Sequence, residues 1–188
     1  ARHMQDHPER FKSNPSPRPF CQAVAIFLIQ GLLAWSLPAN PITESTVFPM
    51  LVGEWEGAGE LTNPADGSIT TVTETWKGEL GETGTFLMAG KRVFNDLEHE
   101  FAWEYFANQD TIEGQMKVTD PAIDARFETQ VNDAARTISM TVGLSGGGGT
   151  MTIINTVSED GQTIVGTVEI VNPSGAVTTK GTVTHHKK

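Results

Sequence analysis

The chain has 188 residues, 23 of them acidic and 13 basic, for a formal net charge of -10, and it carries a single cysteine. One cysteine excludes an internal disulfide scaffold, and the length suits one domain with a sizeable core. The acidity argues against a nucleic-acid partner, because that association rests on Lys and Arg meeting phosphate.

The first forty residues differ in kind from the rest. They hold five of the ten prolines, one of the nineteen glycines and the only long apolar run, Phe20 to Leu37. Lys12 and Arg18 precede that run and Pro38-Ala39 follow it, which is the order of a basic region, an apolar region and a small-residue cleavage site. Residues 1–39 are therefore expected to be an export signal cut near Ala39, placing the mature protein in a periplasm or outside the cell. An uncleaved membrane anchor, for which the run is a marginal span, and a helix packed on the domain are the alternatives. Contact with a membrane is expected only through this segment. Residues 40–50 are expected to be a linker. Removing residues 1–39 takes away four basic and two acidic side chains, leaving 9 against 21, a net charge of -12 with no cysteine.

From Leu51 onward the sequence reads as strands. Ten runs rich in Thr, Val, Ile and aromatics fall at about 51–61, 68–79, 84–94, 98–107, 111–118, 123–131, 136–143, 149–158, 163–171 and 176–185, and none has a sustained helical period. Residues 63–67, 81–84, 108–110, 159–161 and 172–175 supply the Asn, Asp, Pro and Gly that tight turns need. Links this short join sequential neighbours as hairpins. An open sheet of ten strands would leave two edges unpaired and one face unburied, and closing it cures both faults. The fold class expected is all-β, a ten-stranded antiparallel up-and-down β-barrel over residues 51–188. An immunoglobulin-like sandwich is the rival, but it takes fewer strands in Greek-key order. A barrel of this size must be filled by aromatics or by a guest.

Period-two alternation assigns the faces. In the first strand Glu54, Glu56 and Glu60 go to water while Trp55, Gly57, Gly59 and Leu61 go inward. In the fourth, Glu98, Glu100 and Glu104 oppose an inward stripe of His99, Phe101, Trp103 and Tyr105. The second strand points Val72, Glu74 and Trp76 inward, and the third points Phe86, Met88, Gly90, Arg92 and Phe94. A buried carboxylate needs a cationic partner, so Glu74 and Arg92 are expected to pair inside, as a structural plug or as an anchor for a polar ligand head. Trp55, Glu74, Trp76, Arg92, Trp103 and Tyr105 form the candidate binding set for a small apolar or amphipathic molecule, with plain core filling as the alternative. No catalytic residue, metal or cofactor is assigned from the residues alone.

Residues 51–59, LVGEWEGAG, resemble the Gly-x-Trp-x-Gly-x-Gly opening of nitrobindin-like and related β-barrel domains within the lipocalin-like, or calycin, group. The resemblance implies an antiparallel barrel with an internal cavity, a tryptophan closing its floor and, in many members, an apolar ligand. In nitrobindins it implies haem held by a histidine late in the chain. Alternation with Val183 allows His185 to face inward and sends His186 the other way, although a frayed terminus is where both are expected to lie.

Catalytic motifs mostly fail. Residues 143–147, GLSGG, fit G-x-S-x-G, but a nucleophile elbow needs a helix straight after the serine, and here a strand follows. No HExxH, CxxC or EF-hand spacing occurs. Asp120, Asp124 and Asp133 fall in or near turns, where Asp chiefly makes local hydrogen bonds. An isomerase- or cyclase-type enzyme using Glu74 or Tyr105 as proton donor or acceptor is kept as an alternative to a carrier, beside a structural module with no ligand.

Overall fold

The computed structural model describes residues 40–119 and 122–188. The expected export signal, anchor or packed helix over 1–39 lies outside the described residues. Among those described, no helix is long and apolar enough to cross a membrane.

Two short helices, α1 (Pro41–Glu44) and α2 (Val47–Met50), lead into ten strands. The strands are β1 (Gly53–Thr62), β2 (Ile69–Leu80), β3 (Phe86–Phe94), β4 (Leu97–Asn108), β5 (Thr111–Thr119), β6 (Ala122–Asn132), β7 (Thr137–Leu144), β8 (Gly149–Val157), β9 (Thr163–Val171) and β10 (Val177–Lys187). Each pairs antiparallel with its sequence neighbours, and β1 pairs with β10 from Trp55↔Lys187 to Thr62↔Lys180, so the sheet closes. The expected meander is the fold. Closure leaves no strand with an unpaired edge.

Local chemistry fixes the hairpins. Asn63, Asp160 and Asn172 each accept a hydrogen bond from the backbone two residues on, the Asx turn that reverses a chain. Between β3 and β4, Asn95 and Asp96 both take positive φ, 45° and 80°, as a two-residue hairpin demands. The Gly-Leu-Ser-Gly-Gly stretch closes β7 and turns through a 3-10 segment, Ser145–Gly147, directly into β8. No helix follows Ser145, so the nucleophile-elbow geometry is not formed.

The segment expected as a linker is instead part of the packing. Ile42, Val47 and Phe48 have no exposed surface. The Phe48 ring lies 5.3 Å from that of Phe86 and 5.6 Å from that of Tyr105, sealing one end of the barrel. Asp133, in the β6–β7 turn, holds this plug through a single carboxylate oxygen that accepts from Ser45 Oγ (2.8 Å), Thr46 N (2.8 Å), Thr46 Oγ1 (3.1 Å) and Val47 N (3.3 Å).

The interior is graded along the barrel axis. Next to the plug, Trp55, Phe86, Ile138 and Ile164 are fully or almost fully buried. Toward the opposite end the inward positions Leu61, Phe94, Val118 and Met151 are only half-buried. The glutamates at 54, 56, 60, 98, 100 and 104 are exposed, as alternation requires.

Candidate functional site

Four strands contribute to one polar row across the interior. Strand register sets Gly57 of β1 between His185 of β10 and Glu74 of β2, and Glu74 opposite Arg92 of β3. Because Gly57 has no side chain, the imidazole crosses β1 to reach the carboxylate. A Cβ there would collide with His185 Cδ2. His185 Nε2 lies 2.9 Å from Glu74 Oε2, and Arg92 Nε donates to Glu74 Oε1. The expected Glu74–Arg92 pair is therefore present, and it has a third member.

The electrostatics follow from this arrangement. Burial pushes the Glu74 carboxyl up, but the Arg92 charge and the hydrogen bond and charge of His185 together outweigh it and bring it down to about 2. Glu74 is thus a fixed anion at neutral pH. Its oxygens can only accept, so the imidazole presents an N–H at Nε2. The Cδ2–Nε2 edge of the ring rests over Gly57 at the barrel wall.

Arg92 is held from three sides by aromatic rings. Its guanidinium carbon lies 4.8 Å from the Phe101 ring centre, 5.4 Å from that of Trp103 and 5.6 Å from that of Phe94, a setting that favours a cation on the ring faces. Among the described residues its two Nη groups make no hydrogen bond, the one to Glu74 being through Nε.

Beside this row lies a cavity of about 40 Å³. At roughly 10–15 Å³ per water centre it has room for about three waters. Glu74, Trp76, Arg92, Trp103 and Tyr105 all line it, together with His185, Asn155 and a ring of aliphatic side chains. Trp55 does not. It stacks beneath Trp76 at 5.4 Å and 17°, and its indole N–H donates to Leu51 O at 3.0 Å. Five of the six candidate residues are brought together, and Trp55 belongs to the floor. The sequence reading missed His185 as a partner of Glu74 and Asn155 as a polar lining group. The signal for the first was the glycine at 57, which leaves room for a neighbouring side chain.

Three polar atoms on residues lining this cavity have no hydrogen-bond partner among the described residues: Trp76 Nε1, Trp103 Nε1 and His185 Nδ1. Their side chains are all more than nine-tenths buried. A buried polar atom left unsatisfied costs about 1–3 kcal/mol, and each of the three is itself closed off from water.

What this set can do chemically is bounded. Glu74, held at about 2, neither donates a proton nor readily accepts one at neutral pH. Burial pushes the Tyr105 hydroxyl far above the usual phenol range, and it donates to Met140 Sδ. Neither fits the proton-transfer role of the enzyme alternative. The residues do not fit haem: His185 Nε2 is committed to Glu74, the ring lies edge-on to Trp76 at 5.8 Å, and the cavity is far smaller than a tetrapyrrole. Among the described residues no three His, Cys, Asp or Glu side chains converge as metal ligands.

Comparison with protein-family models finds no match, and comparison with curated proteins finds none. Among solved structures, the chain is similar to the S-type phycobiliprotein lyase CPES from Guillardia theta, with a TM-score of 0.53 and 10% identity over 75% of this chain and 90% of that one. It is similar also to Rv2717c from M. tuberculosis, with a TM-score of 0.53 and 11% identity over 77% of this chain and 98% of that one. At such identities the likeness is one of fold, a closed antiparallel β-barrel.

Proposed function

We propose that the protein is an exported carrier whose barrel interior holds a small apolar or amphipathic molecule, in a periplasm or outside the cell. The observation that carries this reading is the cavity itself, apolar on most sides yet lined by the charged cluster of Glu74, Arg92 and His185. A barrel filled only for stability gains nothing from that cluster, since replacing a buried ion pair by packed hydrophobic residues is often neutral or stabilising. Small-molecule sites characteristically set a few polar groups in an apolar wall. Met88 lines the cavity, and Met116, Met140 and Met151 point inward on neighbouring strands. Their unbranched side chains change rotamer at little cost, so the space can widen around a guest. Export is supported by the order of charge, apolar run and Pro-Ala in residues 12–39.

The test is purification from a native-like host followed by native mass spectrometry, with a thermal-shift panel of alcohols, acids, amines and esters of six to twelve carbons. A retained mass or a rise in melting temperature is expected. A bare mass together with no shift from any of the panel overturns the carrier reading.

A further inference from the structure

We infer that Asn155 is the specificity-determining residue of the cavity and reads a neutral guest that carries an N–H beside a C=O, as a carboxamide or a lactam does. This rests on the reading of the barrel as a small-molecule binder and names the chemistry of its guest. Asn155 lies on β8 between Ile153 and Val157, both buried, so alternation turns it inward. Its β9 partner is Gly166. A Cβ at that glycine would stand 2.7 Å from Asn155 Oδ1, so the carboxamide lies over bare backbone, as the His185 ring lies over Gly57. Asn155 and Gly166 line the cavity together with Ile153, Ile164, Val168 and Val183. In the closed sheet β8 is five strands from β3 in either direction, which sets Asn155 on the wall opposite Arg92.

Packing gives no reason for this side chain. Its amide makes no hydrogen bond to any described residue, and the lining residues around it carry only hydrocarbon side chains or none. Unlike the indole nitrogens of Trp76 and Trp103, its oxygen and nitrogen are not closed off from water. A leucine would fill the same place with apolar surface, so what Asn155 adds is an acceptor and donors presented to whatever occupies the barrel. A guest that displaces water from them without replacing its hydrogen bonds loses affinity. The complement of a carboxamide is a group that accepts and donates side by side, which is a second amide edge. The match holds for either orientation of the Asn155 amide, because the guest's N–H and C=O can be presented in either order. An ester only accepts, and an alcohol meets one atom at a time. A carboxylate or an ammonium would add a charge to a wall where Glu74 and Arg92 already neutralise each other. The rest of the guest would run past Val168, which is half-buried, toward the half-buried end of the barrel.

The experiment uses the full chain labelled with nitrogen-15, in which the side-chain amide signals of Asn155 are the pair that disappears in Asn155→Leu. Octanamide, methyl octanoate and 1-octanol are titrated into wild type and variant. In wild type, octanamide is expected to move the Asn155 pair and to bind about tenfold more tightly than the other two, as two net hydrogen bonds would give. In Asn155→Leu that preference should vanish, octanamide falling to the affinity of the ester while the ester keeps its own. Where that variant fails to fold, Asn155→Thr removes the carboxamide with a smaller side chain and serves instead. Equal affinity of wild type for all three, or a preference for octanamide that survives the substitution, would overturn the role of Asn155 while leaving the carrier reading intact. An equal loss of all three in the variant marks a structural residue and overturns it too, as does binding of octanamide that leaves the Asn155 pair unmoved. If none of the three binds, the amide guest is overturned, and the carrier reading stands or falls on the wider panel of alcohols, acids, amines and esters.

Discussion

His185 and Glu74 stand 111 positions apart in the chain and touch only because the barrel closes, their 2.9 Å contact passing over Gly57. The seam between β1 and β10 is thereby fastened from inside by a side-chain bond as well as by the backbone ladder. A histidine on the last strand bonded to a carboxylate on the second acts as a clasp across the first.

Gly57→Ala tests the clasp. The added methyl must displace an imidazole ring packed against Trp76, so the substitution both overfills the row and breaks the Glu74 bond. Overpacking costs about 1–3 kcal/mol and a hydrogen bond to a charged group about 1.5–3 kcal/mol. Urea denaturation should show Gly57→Ala and His185→Ala each losing roughly 2–4 kcal/mol, and the double variant losing much less than the sum. Strict additivity would mean that the glycine and the histidine act independently.

Acid should unfasten the same row. The Glu74 carboxyl falls from its ordinary 4.5 to about 2 in the folded protein. A carboxyl lowered on folding adds stability that is present above its unfolded value and lost as pH drops through the folded one. The window here runs from about pH 4.5 to about pH 2, and at 1.36 kcal/mol per unit the contribution is on the order of 3 kcal/mol. Asp66, Asp133 and Asp160 are also lowered and titrate nearby, so the informative quantity is the difference between wild type and Glu74→Gln. Stability should fall more steeply toward pH 2 in wild type than in Glu74→Gln. Parallel curves would show that Glu74 is not held down in the folded state.

How much of this was legible in the sequence depends on the range over which each feature is encoded. Every strand begins and ends within two residues of its expected bounds, because alternation and turn chemistry are local. The Glu74–Arg92 pair was legible for the same reason, since its two strands are joined by one short turn. The His185–Glu74 contact was not, because it exists only after closure, and His185 stood in what looked like a loose tail. In the structure that tail is paired to Lys187. The plug at 40–50 was illegible for a different reason. Helices of four residues show no period, and Pro41 and Pro49 made the stretch read as a connection. Trp55 was rightly turned inward, but alternation gives a face and not a depth, so it could not say that this ring lies in the floor below the cavity.

The plug makes its own prediction. Asp133 accepts four bonds from residues 45–47, so Asp133→Ala leaves the Thr46 N–H without its acceptor and the Val47 N–H with Ser45 Oγ alone. Loss of such a cap costs about 0.5–2 kcal/mol. Hydrogen exchange should quicken at 46–51 before it quickens in the strands, and Asp133→Asn, which keeps an accepting oxygen, should fall between the two. Phe48→Ala, which removes a ring with no exposed surface, should cost about 3–5 kcal/mol. Unchanged exchange at 46–51 in Asp133→Ala would mean that apolar contacts alone hold the plug.

Val168→Phe separates binding from folding. Val168 lines the cavity but is half-buried, and its β10 partner is Gly181, which has no side chain to oppose a larger neighbour. A phenyl ring there projects into a space of about 40 Å³ and fills it. Small-to-large changes inside a packed core cost about 1–3 kcal/mol, and the half-open position should bring this one to the lower end. Thermal melts are expected to show a protein that still unfolds cooperatively, only a few degrees lower, and that no longer responds to ligands that stabilise wild type. If the variant keeps the full ligand response, the guest sits elsewhere, because a side chain of that size cannot share the cavity with one.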